Sequence, residues 1–239
     1  MPRAVLSSGI EIEYDSIGDR NDPTLLLISG FNSQLISWDE HLVRQLAARR
    51  LHAVRFDNRD VGLSSRCDAP YTLSDMAADA VGLLDHLGVE RAHVAGKSMG
   101  GMIAQLIAIE HPDRVASLMP IMTRPREAGV GTPTPEANAV LLAPPAPDRA
   151  GVIERSTDVA VYHSKRHFDP DAVRDLAARQ FDRSHDPAGA TRQMSAIHAT
   201  PQWSDGLRHV EVPTLVIHGT DDTLITPDGG ERIAELVPG

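Results

Sequence analysis

Ser98 stands in the pentapeptide Gly96-Lys97-Ser98-Met99-Gly100. A serine between glycines can be a nucleophile if the chain thrusts its hydroxyl out at a tight turn between a strand and a helix. The three fixed positions alone carry little, since chance produces them in about one chain in ten of this length. The flanking residues carry more. "RAHVAG" before the serine reads as a strand, and "MGGMIAQLIAIE" after it reads as a helix. Gly100 and Gly101 let that helix begin close to its neighbours. The backbone N–H of Met99 then sits at a helix N-terminus, where negative charge is stabilised. A second donor is expected from the loop after an earlier strand. "LLLISGFNSQ" offers the Phe31 N–H, with Gly30 permitting the sharp turn. The competing reading makes Ser98 an ordinary N-cap and the Phe31 loop a plain connection.

Two aspartates follow the apolar run "TLVIHG" at 214–219, namely Asp221 and Asp222. A carboxylate just past a strand end can hold an imidazole in one tautomer and stabilise its charged form. Aspartates can equally solvate a turn there. Cys67, the single cysteine, lies in the polar stretch "SSRCDAP" and does not read as a nucleophile. No intrachain disulfide is possible with one thiol, which fits a reducing compartment. "GKSMGG" lacks the first glycine of a phosphate loop, because Arg91 stands five positions before Gly96. No histidine–carboxylate cluster has ligand spacing, so no metal and no cofactor are expected.

The elements that must position these residues follow from periodicity. "IEIEYDSIG" alternates and reads as a strand with one wet face. "TLLLISG" over 24–30 is short, apolar and doubly buried. "SWDEHLVRQLAARR" has Trp38, Leu42, Leu46 and Arg49 at near-helical spacing. "HAVRFDNRD" is a strand entering a polar loop. From Thr72 a helix carries Leu73, Met76, Ala77, Ala80, Leu84 and Leu87 on one face, with Thr72 and Asp75 as a capping box and Gly88 as its stop. "RVASLMPIM" is a further strand. Alternating strands and helices imply a mostly parallel α/β sheet covered on both faces.

After Thr123 the chain turns proline-rich, with a short helix expected near 137–142. Two more helices are expected between Asp169 and Thr200, the first opened by Pro170. Sheet-like sequence returns at 214–219, and a last helix is expected near 231–237. The expected organisation is a core over 1–123, an inserted helical lid over 124–205, and the core resumed over 206–239.

The stretches "TLLLISGFNSQLISWDEHLVRQLA", "VRFDNRDVGLSS", "VAGKSMGGMIAQLIAIEHPDRVASLMPIMT" and "VPTLVIHGTDDTLITPDGGERIAELVPG" together resemble the alpha/beta-hydrolase superfamily, and within it the aclacinomycin methylesterase-like esterases. The resemblance runs from about residue 5 to the end. It implies a serine carboxylic-ester hydrolase acting on a small-molecule ester through an acyl-enzyme. It also implies that Ser98 is the nucleophile and that the Phe31 and Met99 N–H groups form the oxyanion hole. Counted from Gly219, the Gly-x-x-Asp pattern assigns the acid to Asp222 rather than Asp221. Asp57, Arg59 and Gly62, in "DNRDVGLS", are expected to be structural. Thioester or lactone hydrolysis and perhydrolysis are alternatives on the same scaffold. A dehalogenase is disfavoured, because that chemistry wants a carboxylate where Ser98 stands.

The resemblance also places the catalytic histidine after the acid, and here the sequence departs from it. The chain has eleven histidines, none of them after Asp222. His218 lies four residues before the acid on the same strand end and is not expected to reach Ser98. His163, His167, His185 and His198 fall in the lid region. The last strand, the histidine loop and the final helix of the pattern are missing before Gly239. The expectation is a fragment that hydrolyses esters barely or not at all, with apolar surface exposed at its open sheet edge. A non-catalytic ligand-binding protein is the competing reading from another class.

Composition narrows the partners. The 239 residues are 41% hydrophobic and 23% charged, ordinary for a globular chain. A net charge of −10 argues against nucleic acid, which attracts clustered basic charge. No apolar run approaches the length that spans a bilayer, and the N-terminus has no signal-peptide core, so a cytoplasmic location is expected.

Overall fold

A computed structural model of the chain describes residues 2–162 and 166–238. Among these residues, six strands form one sheet: β1 Arg3–Val5, β2 Glu11–Ile17, β3 Thr24–Ile28, β4 His52–Phe56, β5 Ala92–Lys97 and β6 Val115–Ile121. Their spatial order is β1-β2-β4-β3-β5-β6. The first two strands pair antiparallel with their neighbours; β4, β3, β5 and β6 run parallel. The sheet is therefore α/β and mostly parallel, as the alternation of elements predicts.

The doubly buried strand at 24–28 explains the layering. Leu26 and Ile28 pack with Val54, Phe56 and Val94 into the larger core. The intervening Leu25 and Leu27 face the other way, into a smaller core with Trp38, Val43, Ala53 and Ala95. This two-residue period puts α2 Leu73–Leu87 and α3 Met99–Glu110 on one side and α1 Glu40–Ala47 on the other. The α2 ends are as predicted: Thr72 and Asp75 form the capping box, and Gly88 ends the helix with φ 70.

Several expectations are corrected. Helix α1 begins at Glu40, because the Asp39 carboxylate accepts from the His41 and Leu42 N–H groups. Trp38 therefore lies outside it, Val43 is its buried residue, and Leu42 is exposed. Strand β2 has no freely wet face: Glu13 is buried and accepts from Arg3, and Asp15 pairs with Arg55. The loop after β4 is polar, as expected, and the sequence reading left open that Asp57, Asn58, Arg59 and Asp60 are all buried. Residues 214–217 do not form a full strand. They run alongside β6 with Leu118 facing Thr214 and Ile121 facing Ile217, joined by four backbone hydrogen bonds between 213–217 and 118–122.

Between β6 and that segment the described residues form four α-helices: α4 Pro135–Leu141, α5 Arg149–Arg155, α6 Pro170–Arg183 and α7 Pro187–Ala199. Helix α5 has no counterpart in the sequence reading, where its proline-rich approach reads as loop. Helix α8, Asp228–Leu236, closes the described chain and buries Ile233 and Leu236.

Candidate active site

The parallel register brings the ends of four chain segments to one level. Ile28 pairs with Gly96, Lys97 with Ile121, and Ile121 with Ile217. Gly30, Ser98, Thr123 and Gly219 thus all lie one or two residues beyond a shared row, at the carboxyl ends where open α/β sheets bind ligands. Two strand spacings, about 10 Å, separate the Ser98 and Gly219 backbones.

Ser98 joins β5 to α3 with φ 54 and ψ −122, a left-handed conformation that is rare for a residue with a side chain. Such strain costs on the order of 1–3 kcal/mol and persists only where the surroundings fix it. Here they do. The Ser98 N–H donates to the Ile121 carbonyl at 3.0 Å. The Ser98 carbonyl accepts from Thr123 Oγ1 at 2.8 Å and from the Gly101 and Met102 N–H groups. Neighbouring glycines leave the necessary room: a Cβ on Gly96 would stand 2.0 Å from the Gly100 carbonyl oxygen, and one on Gly100 only 2.3 Å from that of Ile28.

The loop after β3 passes over this turn. A Cβ placed on Gly30 would lie 3.3 Å from Ser98 Cβ and 3.7 Å from its Oγ. The Ser33 N–H donates to the Gly30 carbonyl, closing a tight turn through Phe31 and Asn32. Among the described residues, no acceptor takes the N–H of Phe31 or of Met99.

Asp222 is buried beyond the 214–217 segment. Its Oδ1 accepts from the Leu224 and Ile225 N–H groups at 2.8 and 3.1 Å. Its Oδ2 is buried without a hydrogen-bond partner. Among the described residues His218 lies beside it, with Nε2 3.5 Å from Oδ2, but that Nε2 donates to the Ile225 carbonyl at 2.8 Å. The Asp222 carboxylate raises the His218 pKa, and burial opposes it. The ring packs against Gly230, where an added Cβ would come 2.5 Å from Nδ1. His218 is thus wedged between the acid loop and α8. Among the described residues, no imidazole hydrogen-bonds the Ser98 hydroxyl. His163 lies outside the described residues.

Tyr162 stands close to this acid loop. Its pKa is pushed up to about 12 by burial and by the negative charge of Asp222. Thr223 Oγ1 donates to the Val161 carbonyl, so the loop bearing the acid also touches the inserted helical segment.

Asp57, Arg59 and Gly62 hold loops. Asp57 accepts from the Leu35 and Leu63 N–H groups and from Arg183 of α6. Arg59 makes a two-pronged pair with buried Asp79. Cys67 is buried, and its pKa is raised chiefly by that burial, so the thiol stays protonated. The described residues hold no cluster of three His, Cys, Asp or Glu suited to a metal, and no helix long and apolar enough to cross a membrane. A surface hollow lined by Asp85, Glu90, Arg91, Asp113 and Arg114 sits at the opposite ends of β5 and β6, away from Ser98. The sequence reading missed Gln193, which is fully buried in α7 and hydrogen-bonded to the loop after β3, which lies against Ser98, and to the loop after β4. Its only signal is one carboxamide on a helical stripe otherwise made of Gly189 and Ala196.

The sequence profile described as the alpha/beta hydrolase fold matches residues 23–239. The chain belongs to the alpha/beta-hydrolase family. It is 40% identical over 119 residues to rhodomycin D methylesterase DnrP of Streptomyces peucetius, spanning 48% of this chain and 40% of that relative. It is 30% identical over 265 aligned positions to rhodomycin D methylesterase DauP of Streptomyces sp. (strain C5), covering 99% of this chain and 88% of the relative. Among solved structures, a hydrolase from Pseudomonas aeruginosa PA01 superposes with a TM-score of 0.79 at 28% identity, covering 100% and 87% of the two chains. The enol-lactonase from Burkholderia xenovorans LB400 gives 0.78 at 26%, covering 100% and 88%. This hydrolase chain thus carries the esterase likeness that its motifs suggested.

Proposed function

We propose that this hydrolase cleaves small carboxylic esters through a serine acyl-enzyme, with the four helices over 135–199 acting as a lid. Ser98 Oγ attacks the ester carbonyl, and the Phe31 and Met99 N–H groups take up the oxyanion. The tetrahedral intermediate then expels the alcohol, and water releases the acid. The observation that carries this reading is the strained serine at φ 54 with the Gly30 loop lying against its side chain. The methylesterase relatives support an ester as substrate class, and the enol-lactonase neighbour extends it to cyclic esters.

Asp222 is the acid that orients an imidazole. Its buried, unpartnered Oδ2 is the oxygen that an imidazole N–H would meet. His218 does not serve, since its Nε2 is committed to the Ile225 carbonyl. Among the described residues no imidazole meets the Ser98 hydroxyl, so the described arrangement by itself hydrolyses esters poorly. A missing triad member costs up to about a millionfold in turnover, leaving roughly 10³–10⁴ over water from the oxyanion hole and binding.

Turnover of p-nitrophenyl acetate by the 239-residue chain, with Ser98→Ala as background, tests this. The expected rate is small, abolished by Ser98→Ala, and raised by free imidazole in the buffer. Fast turnover that depends on Ser98 without imidazole would show that one of the chain's own histidines is the base. A rate indifferent to Ser98→Ala, with and without imidazole, favours a ligand-binding protein on the same scaffold, a reading that the Ser98 hydroxyl, without a hydrogen-bond partner among the described residues, supports.

A further inference from the structure

Helix α7 packs unusually close to the core. A Cβ on Gly189 would stand 2.0 Å from the Asp60 carbonyl oxygen, so helix and loop meet backbone against backbone. One turn on, Arg192 pairs with buried Asp60 at 2.8 Å and with Asp186 at 3.2 Å. Gln193 lies in this seam with no exposed surface. A buried carboxamide must satisfy a donor and an acceptor at once. Gln193 does so by bridging two loops: its Oε1 accepts from the Asn32 N–H at 2.9 Å, and its Nε2 donates to the Arg59 carbonyl at 2.8 Å.

The Asn32 bond bears on the site. Asn32 has φ 50, a left-handed conformation that asparagine tolerates better than most residues. The peptide planes on either side of Phe31 are both fixed. In the first, the Gly30 carbonyl accepts from Ser33. Because a trans peptide points its C=O and N–H in opposite directions, the Phe31 N–H is turned away from that bond. In the second, the Asn32 N–H is held by Gln193. Without Gln193 this second plane keeps only the bond from Ser33 Oγ to the Phe31 carbonyl at 3.1 Å, and the N–H of the left-handed Asn32 loses its partner.

We propose that Gln193 is a positioning residue that aims the Phe31 N–H, so that the oxyanion hole is complete only while α7 is seated on the core. This rests on the reading of Ser98 and Phe31 given above. Lid seating and oxyanion binding are then one event. Displacement of α7 removes the Asn32 bond, while the Met99 donor, built into α3, is untouched.

The test uses the full chain and butylboronic acid, which adds to a serine hydroxyl and places an oxygen where the oxyanion would form. Binding is followed by the amide signals of Phe31 and Met99 in nuclear magnetic resonance. Gln193→Met keeps the side-chain length and loses both hydrogen bonds; Arg149→Ala, at an exposed ion pair on α5, is the control. In the wild type both amide signals are expected to move. Gln193→Met is expected to bind at least about tenfold more weakly, since small misplacement of a donor has large effects. Its Phe31 shift shrinks while its Met99 shift persists, and Arg149→Ala matches the wild type. Equal affinity and equal Phe31 shifts in Gln193→Met overturn the inference alone. No adduct at Ser98 in the wild type removes the serine reading and the inference with it. Should Gln193→Met not fold, hydrogen exchange in the wild type decides. The Asn32 amide is expected to exchange far more slowly than that of Phe31, and an Asn32 amide exchanging at free-chain rates overturns the inference.

Discussion

At Lys97, directly before the candidate nucleophile, chain alternation sends the side chain to the opposite face of the sheet. Its Nζ donates to the Ser37 carbonyl at 2.8 Å and lies 4.8 Å from the centre of the Trp38 ring. Burial pulls its pKa down to about 8. Below pH 8 the lysine is charged in both folded and unfolded chains. Between about 8 and 10.5 the unfolded chain keeps the proton that the folded chain has released, so stability rises with pH across that window. The rise is at most about 3 kcal/mol. Lys97→Met is expected to flatten the rise, as read from urea midpoints at pH 7.5, 9 and 10.5; an unchanged slope would show that another group titrates there. Ser98 was legible from its neighbours because glycines on both sides have a steric purpose. Gln193 was not, because a carboxamide within a small-residue stripe gives no periodic signal until its two loop partners are seen.

Elements with local signals read well, and those fixed by distant contacts did not. The α2 caps, the strand–serine–helix turn and the Asp169-Pro170 start of α6 are written within a few residues each. The loop after β4 reads only as polar, and nothing within it signals its burial. It is buried because Asp57 and Asp60 are met by Arg183 and Arg192, more than 120 positions away in sequence. Asp57 has its pKa raised by burial, and the Arg183 charge opposes that. Arg183→Met would leave a buried carboxylate without its cation, a loss on the order of 3–5 kcal/mol. Asp57 would keep only its bonds from Leu35 and Leu63. The expected result is a lower unfolding midpoint, with easier proteolysis within α6. A midpoint equal to the wild type would place the α6 anchor elsewhere. The nucleophile turn is tight at Gly100 as well. Its substitution by Ala puts a methyl 2.3 Å from the Ile28 carbonyl oxygen, a backbone atom that cannot step aside. A loss of at least about 2 kcal/mol in thermal unfolding is expected.

Across the whole molecule, the carboxyl end of the sheet is well packed around Ser98, and its far edge is not. The segment 214–217 is hydrogen-bonded to β6 on one side, and no described strand lies on its other side. Val212 and Val216 lean into the larger core. Leu215 and Ile217 point the other way and remain 58% and 45% exposed. An unpaired edge flanked by exposed aliphatic side chains is a template for association. The net charge of −10 opposes association between copies, but that repulsion is screened within about 10 Å at 0.1 M salt. The two effects make opposite demands on ionic strength. If the edge governs, light scattering should show self-association that grows with protein concentration and with added salt. Leu215→Lys would then reduce it by placing a charge on the apolar patch, without touching the Ser98 turn. Association that falls with salt and ignores Leu215→Lys would instead place the contact on the charged surface. The edge borders the acid loop, since Gly219 follows Ile217 by two residues and Asp222 by five. Covering it is therefore expected to steady Asp222 as well. Partner strands that quench association should raise the imidazole-rescued, Ser98-dependent turnover in the same samples.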